Sequence, residues 1–222
     1  MPLNASSVSE AGGGTNELGV QYKTFHTSFQ SNNGFAGNLF TIQAKTDMVV
    51  ERFDLNVGST DKGIHVLIYT KFGDYGRVDA DPGRYWTEIC NTDVDGQGES
   101  KPTQVPFEAV KSVAIKANER QSFYITFTAN YMKYTTGAVD PNYLSNEDVS
   151  LAASAGTQYP FQGYFPDRIW NGNVVYRLND LDSADVQGRE TEVKSVSGSE
   201  QVYAEEGNSY AYGAVSTRQP QA

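Results

Sequence analysis

The residues of this chain best suited to chemistry lie in the stretch NTDVDGQGES, residues 91–100. Oxygen-bearing side chains stand at Asn91, Asp93 and Asp95, a glycine at Gly96 and a carboxylate at Glu99. Hard oxygen ligands at alternate positions followed by glycine are what a Ca2+ loop uses. The bidentate carboxylate that would close such a loop is replaced by Pro102. The flanking residues lack amphipathic helices, so a helix–loop–helix calcium site is excluded. The spacing still predicts a calcium loop on a β scaffold, formed by Asn91, Asp93, Asp95 and Glu99. Backbone carbonyls or the nearby acids Asp74, Asp79 and Asp81 would complete the shell. The plainer alternative is a turn made by Asp-Gly and Gln-Gly.

Other chemistry has less to draw on. The chain has 2 histidines, His26 and His65, and a single cysteine, Cys90. Both histidines fall in alternating, strand-like segments, and no G-x-S-x-G turn is present. Cys90 has no neighbouring histidine and reads as a small buried hydrophobe. With one cysteine there is no intrachain disulfide and no multi-thiolate zinc site. The 27 acidic residues supply carboxylates everywhere, and nothing marks a pair for glycoside hydrolysis. No catalytic constellation is therefore expected.

The aromatic residues offer a different function. Trp86, Trp170, Tyr164 and Phe165 are candidate ligand-binding rings, with Tyr85, Tyr131, Tyr134, Tyr159 and Phe161 beside them. Such rings could form a platform for the C–H faces of sugars. The competing reading makes Trp170 a plug at the end of the fold, since it lies in a turn just before the last strand.

The elements that must carry these residues read as β. NLFTIQAKT alternates with Phe40, Ile42 and Ala44 on one face. VVERFDLNV places Val49, Phe53, Leu55 and Val57 together. GIHVLIYTK is apolar on both faces, with Ile64, Val66 and Ile68 on one side. RYWTEIC sets Tyr85, Thr87 and Ile89 against Trp86, Glu88 and Cys90, and SFYITFTA sets Phe123, Ile125 and Phe127 against Tyr124, Thr126 and Thr128. KSVAIK, DVSLAAS and NVVYRLN complete the set. Short runs of this kind, separated by Gly/Asn/Asp turns, predict an all-β chain: a single antiparallel β-sandwich or jelly roll over residues 19–179. Residues 1–18, rich in Ser, Gly and Asn, read as a flexible leader. Residues 180–222 carry 8 acidic and 3 basic residues and read as an acidic disordered tail.

The 222-residue chain is long enough for a proper core, and its formal charge of −10 disfavours nucleic acid. No apolar run is long enough to span a membrane. The start, MPLNASSVSEAGGG, has neither the charged beginning nor the apolar stretch of a signal peptide. The only N-x-[ST] sequon is Asn4-Ala5-Ser6.

Four pieces carry a family resemblance: TSFQSNNGFAGNLFTI, HVLIYTKFGDYG, ERQSFYITF and PDRIWNGNVVYRL. In this order they resemble a β-sandwich module that recurs in bacterial surface proteins and in algal, diatom-type proteins. The likeness covers roughly residues 24–178, and Arg168-Ile169-Trp170-Asn171-Gly172 is its most specific part. It implies a sandwich fold and an extracellular, surface or matrix role, and it brings no catalytic residues. The expected function is a non-enzymatic structural or assembly module, whose partners are other copies of itself or another protein. A carbohydrate-binding module, with calcium assisting, is the alternative.

Overall fold

The computed structural model describes residues 20–76 and 85–179. The leader before residue 20, the tail after residue 179, and Asp79 and Asp81 lie outside the described residues. The strands run in chain order as β1 (Lys23–His26), β2 (Asn33–Phe35), β3 (Gly37–Ala44), β4 (Met48–Asn56), β5 (Ile64–Phe72), β6 (Thr87–Val94) and β7 (Pro102–Gln104). After a 3-10 turn at Phe107–Ala109 come β8 (Val113–Ile115), β9 (Arg120–Phe127), β10 (Met132–Thr136), β11 (Val149–Gln158), β12 (Gln162–Pro166), β13 (Arg168–Trp170) and β14 (Gly172–Leu178). The described residues are all-β, and every strand pairing among them is antiparallel.

A large sheet has the order β12-β11-β3-β9-β5-β6, and a smaller one has β1-β14-β4-β7 with β8 also on β4. They enclose one core. Phe40 and Ile42 of β3, Val66 and Ile68 of β5, and Phe123, Ile125 and Phe127 of β9 come from the large sheet. Val50, Phe53 and Leu55 of β4 and Val174 and Tyr176 of β14 face them from the smaller sheet. Burial of this set is the main driving force for the fold. A third sheet, β13-β10-β2, caps the sandwich. Ser154 ties it to the large sheet by accepting the Trp170 N–H at 2.9 Å and donating to the Arg168 carbonyl at 2.6 Å.

Strand alternation holds wherever the register is regular, and four register shifts break it, one of them between Gly156 and Gln158 where β11 meets β12. A register shift opposite Val175 and Tyr176 turns Met48 and Val50 to the core, while Val49 faces outward against Arg177 and Ala114. The expected grouping of Val49 with Phe53, Leu55 and Val57 is thus corrected. A second shift between Ile68 and Tyr69 buries the adjacent Ile89 and Cys90 on one side of β6. A third lies in β11 between Leu151 and Ala153. Bulges insert a residue into one strand, so a period of two cannot be carried through them.

β1 and β14 are neighbours, with Lys23 opposite Tyr176 and His26 opposite Asn173. The start of β1 and the end of β14 therefore lie side by side. A buried network pins this end. The Tyr176 hydroxyl donates to Asp148 at 2.8 Å, and Lys23 donates to the same carboxylate at 2.7 Å.

Candidate functional site

Among the described residues, the pattern with the most chemistry in sequence does not assemble into a metal centre. β6 runs through Val94, so Asn91 and Asp93 belong to a strand and not to the expected loop. Asp93 faces His65 across the pair, Oδ1 to Nδ1 at 2.8 Å. Asp95 accepts the Gly63 N–H at 3.1 Å. Glu99 accepts from the Ser31 hydroxyl at 2.6 Å and forms an ion pair with Lys133 at 3.3 Å, which together hold its carboxyl below the usual range. Each carboxylate is committed to a different neighbour. Asp74, the described member of the supporting acids, pairs with Arg120 at 3.1 Å. Among the described residues, no three His, Cys, Asp or Glu side chains come together as a metal set. The strand geometry is the reason: residues two apart on β6 point the same way, but each meets a different group of β5.

Cys90 is buried, and that burial, with Glu88 nearby, pushes its thiol up to about 11. It has no thiolate character to make it a nucleophile.

The aromatic residues do converge, on the outer face of the large sheet. Residues that alternate with the core positions point there: Leu39 on β3, Tyr69 on β5 and Tyr124 on β9. The segment joining β11 and β12 folds across them. The Tyr124 hydroxyl donates to the Gln158 carbonyl at 3.0 Å and accepts the Phe161 N–H at 3.1 Å. Phe161 is thereby set over Tyr124, ring centroids 4.3 Å apart, and beside Tyr69 at 4.9 Å. Its φ of 51° is a left-handed conformation that is uncommon for a bulky side chain. Trp86, from the segment entering β6, closes the group at 5.9 Å from Phe161. Tyr75 and Tyr164 extend it, 6.3 Å apart.

The cluster is only partly covered. Leu39 and Tyr124 are buried, whereas Tyr69, Tyr75, Trp86 and Phe161 are half-buried. Tyr159 and Tyr164 are 39% and 40% exposed, and Tyr85, next to Trp86, is 60% exposed. Burial pushes the Tyr124 phenol up to about 12. Burial also raises Tyr69, to which the carboxylate of Glu88, its cross-strand partner, adds. Tyr75 is raised first by burial and then by its interaction with Tyr164. Tyr159 lies near enough to raise both Tyr69 and Tyr124 through space. Tyr69, Tyr75 and Tyr124 are therefore neutral phenols at physiological pH, available as hydrogen-bonding groups.

Of the ring residues expected to bind a ligand, Trp86 and Tyr164 are on this face. Phe165 is not: it pairs with Gly156 on β11 and turns to the opposite side, packing edge-on against Phe35 of β2 at 5.5 Å. Trp170 is corrected outright. It is 0% exposed, stacked on Phe40 at 4.3 Å with Phe53 at its edge. A Cβ on Gly172 would meet the Trp170 ring at 2.6 Å and collide with the Asp54 carbonyl. Asn171 is buried and takes the Thr135 hydroxyl at 3.1 Å. The Trp-Asn-Gly segment is thus a closure of the core. Tyr69, Tyr75 and Tyr124 were missed as members of the face. For Tyr69 on β5 and Tyr124 on β9 the signal was an aromatic residue alternating with the core positions of adjacent strands; Tyr75 lies in the loop after β5 and had no such signal.

No helix among the described residues is long and apolar enough to cross a membrane. No family model matches the chain, and no curated protein matches it.

Proposed function

We propose that this chain is a non-enzymatic module of a surface, matrix or shell layer, and that its contact is made by the aromatic outer face of the large sheet. The observation that carries this is the ring cluster of Tyr69, Tyr75, Trp86, Phe161 and Tyr164. These residues are half-buried or exposed on one face, fixed by their mutual packing and by the Tyr124 hydroxyl. Rigid amphipathic rings give large contact area at low entropic cost.

At the edges of the large sheet, strand pairing, the other route to assembly, is less favoured by the geometry. The edge strand β12 ends in Pro166 and carries Gly163, and its pairing with β11 is irregular. At the opposite edge, β6 presents Glu88 and Asp93, and its pairing is bulged. Proline, charge and bulges at edges are the devices that prevent sheet-to-sheet addition.

The test is retention of the purified chain on insoluble envelope or matrix material from its source cells. The Tyr159→Ser/Tyr164→Ser double variant removes exposed rings without touching the main core. Loss of retention at unchanged melting temperature is expected; equal retention of variant and wild type would sink the reading.

A further inference from the structure

We infer that the occupant of the aromatic face is a neutral polysaccharide. This rests on the reading of that face as the contact surface and names its partner.

The exposed apolar groups at this face are of one kind. Its exposed large hydrophobic residues, with Tyr85 next to Trp86, are all tyrosines: Tyr85, Tyr159 and Tyr164. Leu39, the aliphatic member of the face, is fully buried beneath the rings. A protein partner's apolar core is ordinarily met by aliphatic as well as aromatic side chains. A surface of rings alone, most ending in a hydroxyl, offers flat π faces to C–H groups and hydrogen bonds to hydroxyls. A pyranose presents both at once.

Charge points the same way. Carboxylates border the face at Glu88 and Asp74, and Asp167 is close enough to raise Tyr75 through space. Among the described residues, Arg120 is paired with Asp74, and Lys71 Nζ donates to the Tyr75 carbonyl at 3.3 Å. A polyanion would meet the repulsion of these carboxylates. A neutral glycan avoids that cost, and carboxylates are good acceptors for its hydroxyls.

The face is also pre-organised. Phe161 is held in its left-handed conformation by the Tyr124 hydroxyl, and its ring is wedged between Tyr69, Tyr124 and Trp86. A surface already ordered loses little freedom when a semi-rigid chain lies along it.

The experiment is affinity electrophoresis and pull-down of the full chain on a β-glucan, a xylan, a mannan and chitin, with alginate as the polyanion. Wild type, Tyr159→Ser/Tyr164→Ser and Glu88→Gln are compared, with melting temperature as the fold control. Binding to at least one neutral polysaccharide is expected. It should be insensitive to added salt and weakened about tenfold or more in the double tyrosine variant. Binding to alginate alone, binding unaffected by the tyrosine substitutions, or no binding to any neutral chain would overturn the inference. The same proteins are run on the envelope material. If the double variant loses retention there while every neutral polysaccharide neither binds nor competes, this inference falls and the contact face stands. If wild type and variant are retained equally, the contact face falls with it.

Discussion

The two faces of the large sheet carry similar rings in opposite surroundings. On the inner face Phe40 stacks on Trp170 at 4.3 Å; on the outer face Tyr124 meets Phe161 at the same 4.3 Å. The inner rings are backed by a second sheet and contain no hydroxyl at their centre. The outer rings are backed by a single folded-over hairpin, and most are tyrosines. The difference teaches that ring packing alone does not mark a site. What marks it is ring packing that stops halfway, with hydroxyl-bearing side chains at the boundary.

This contrast can be broken most sharply at the tryptophans. Trp170→Ala should cost about 3–5 kcal/mol, the range for deleting a buried aromatic. Trp86→Ala should cost roughly 1–2 kcal/mol, in proportion to its partial burial. Denaturant unfolding of both variants measures the gap, and equal losses would mean that the outer cluster is a second core.

Next comes the hydroxyl that fastens the hairpin. Tyr124→Phe keeps the ring and leaves the Gln158 carbonyl and Phe161 N–H without it, at a cost of about 1 kcal/mol. Hydrogen exchange should quicken in residues 158–163 and stay unchanged in β4 and β14. Uniform change across both sheets would contradict a locally fastened face.

Alkali tests both faces together. Tyr69, Tyr75 and Tyr124 outside and Tyr134 and Tyr176 inside all have their phenols raised above 10.0, with burial the leading cause. A folded value above the unfolded one gives stability that is complete below about pH 10 and is lost as pH rises through the folded values. The denaturation midpoint should therefore fall as pH climbs beyond about 10, and less steeply in Tyr124→Phe.

The smallest effect lies in acid and outside both clusters. Asp47 is lowered from 3.8 by its hydrogen bond from Lys116 and then by the Ala117 N–H, and Glu99 is lowered from 4.5 first by Ser31. Depressed carboxyls lend stability above their unfolded values that disappears as pH falls through the folded ones, here below about 4. Exposure keeps this loss small. Asp47→Asn should flatten the acid limb slightly without altering the alkaline one, as pH-dependent thermal melts would read.

The inner face was readable from sequence because alternation and burial agree in regular strands: Phe123, Ile125 and Phe127 were placed correctly from spacing alone. It failed at Val49, where a bulge resets the phase and no local residue announces it. The outer face was half-readable. Trp86 and Tyr164 were identified by type, but Phe165 follows Tyr164 and so points the other way once β12 is a strand. Trp170 was a candidate ring by residue type alone; its place in a turn just before the last strand pointed to the plug, and its 0% exposure agrees. The close packing of Gly172 against its ring, which explains the motif, is a tertiary contact. The acids of residues 91–99 looked convergent only while they were taken for a loop.

The side-by-side start of β1 and end of β14 has a mechanical consequence. A force applied between the two points where the chain enters and leaves the sandwich would load the β1–β14 hydrogen bonds one after another, as in a zipper, and not all at once in shear. Lys23 and Tyr176, both fastened to Asp148, would be the first teeth. Such a domain yields at low force from that end. Tension along the chain would peel β1 away while leaving β3, β9 and β5, which carry the aromatic face, still paired.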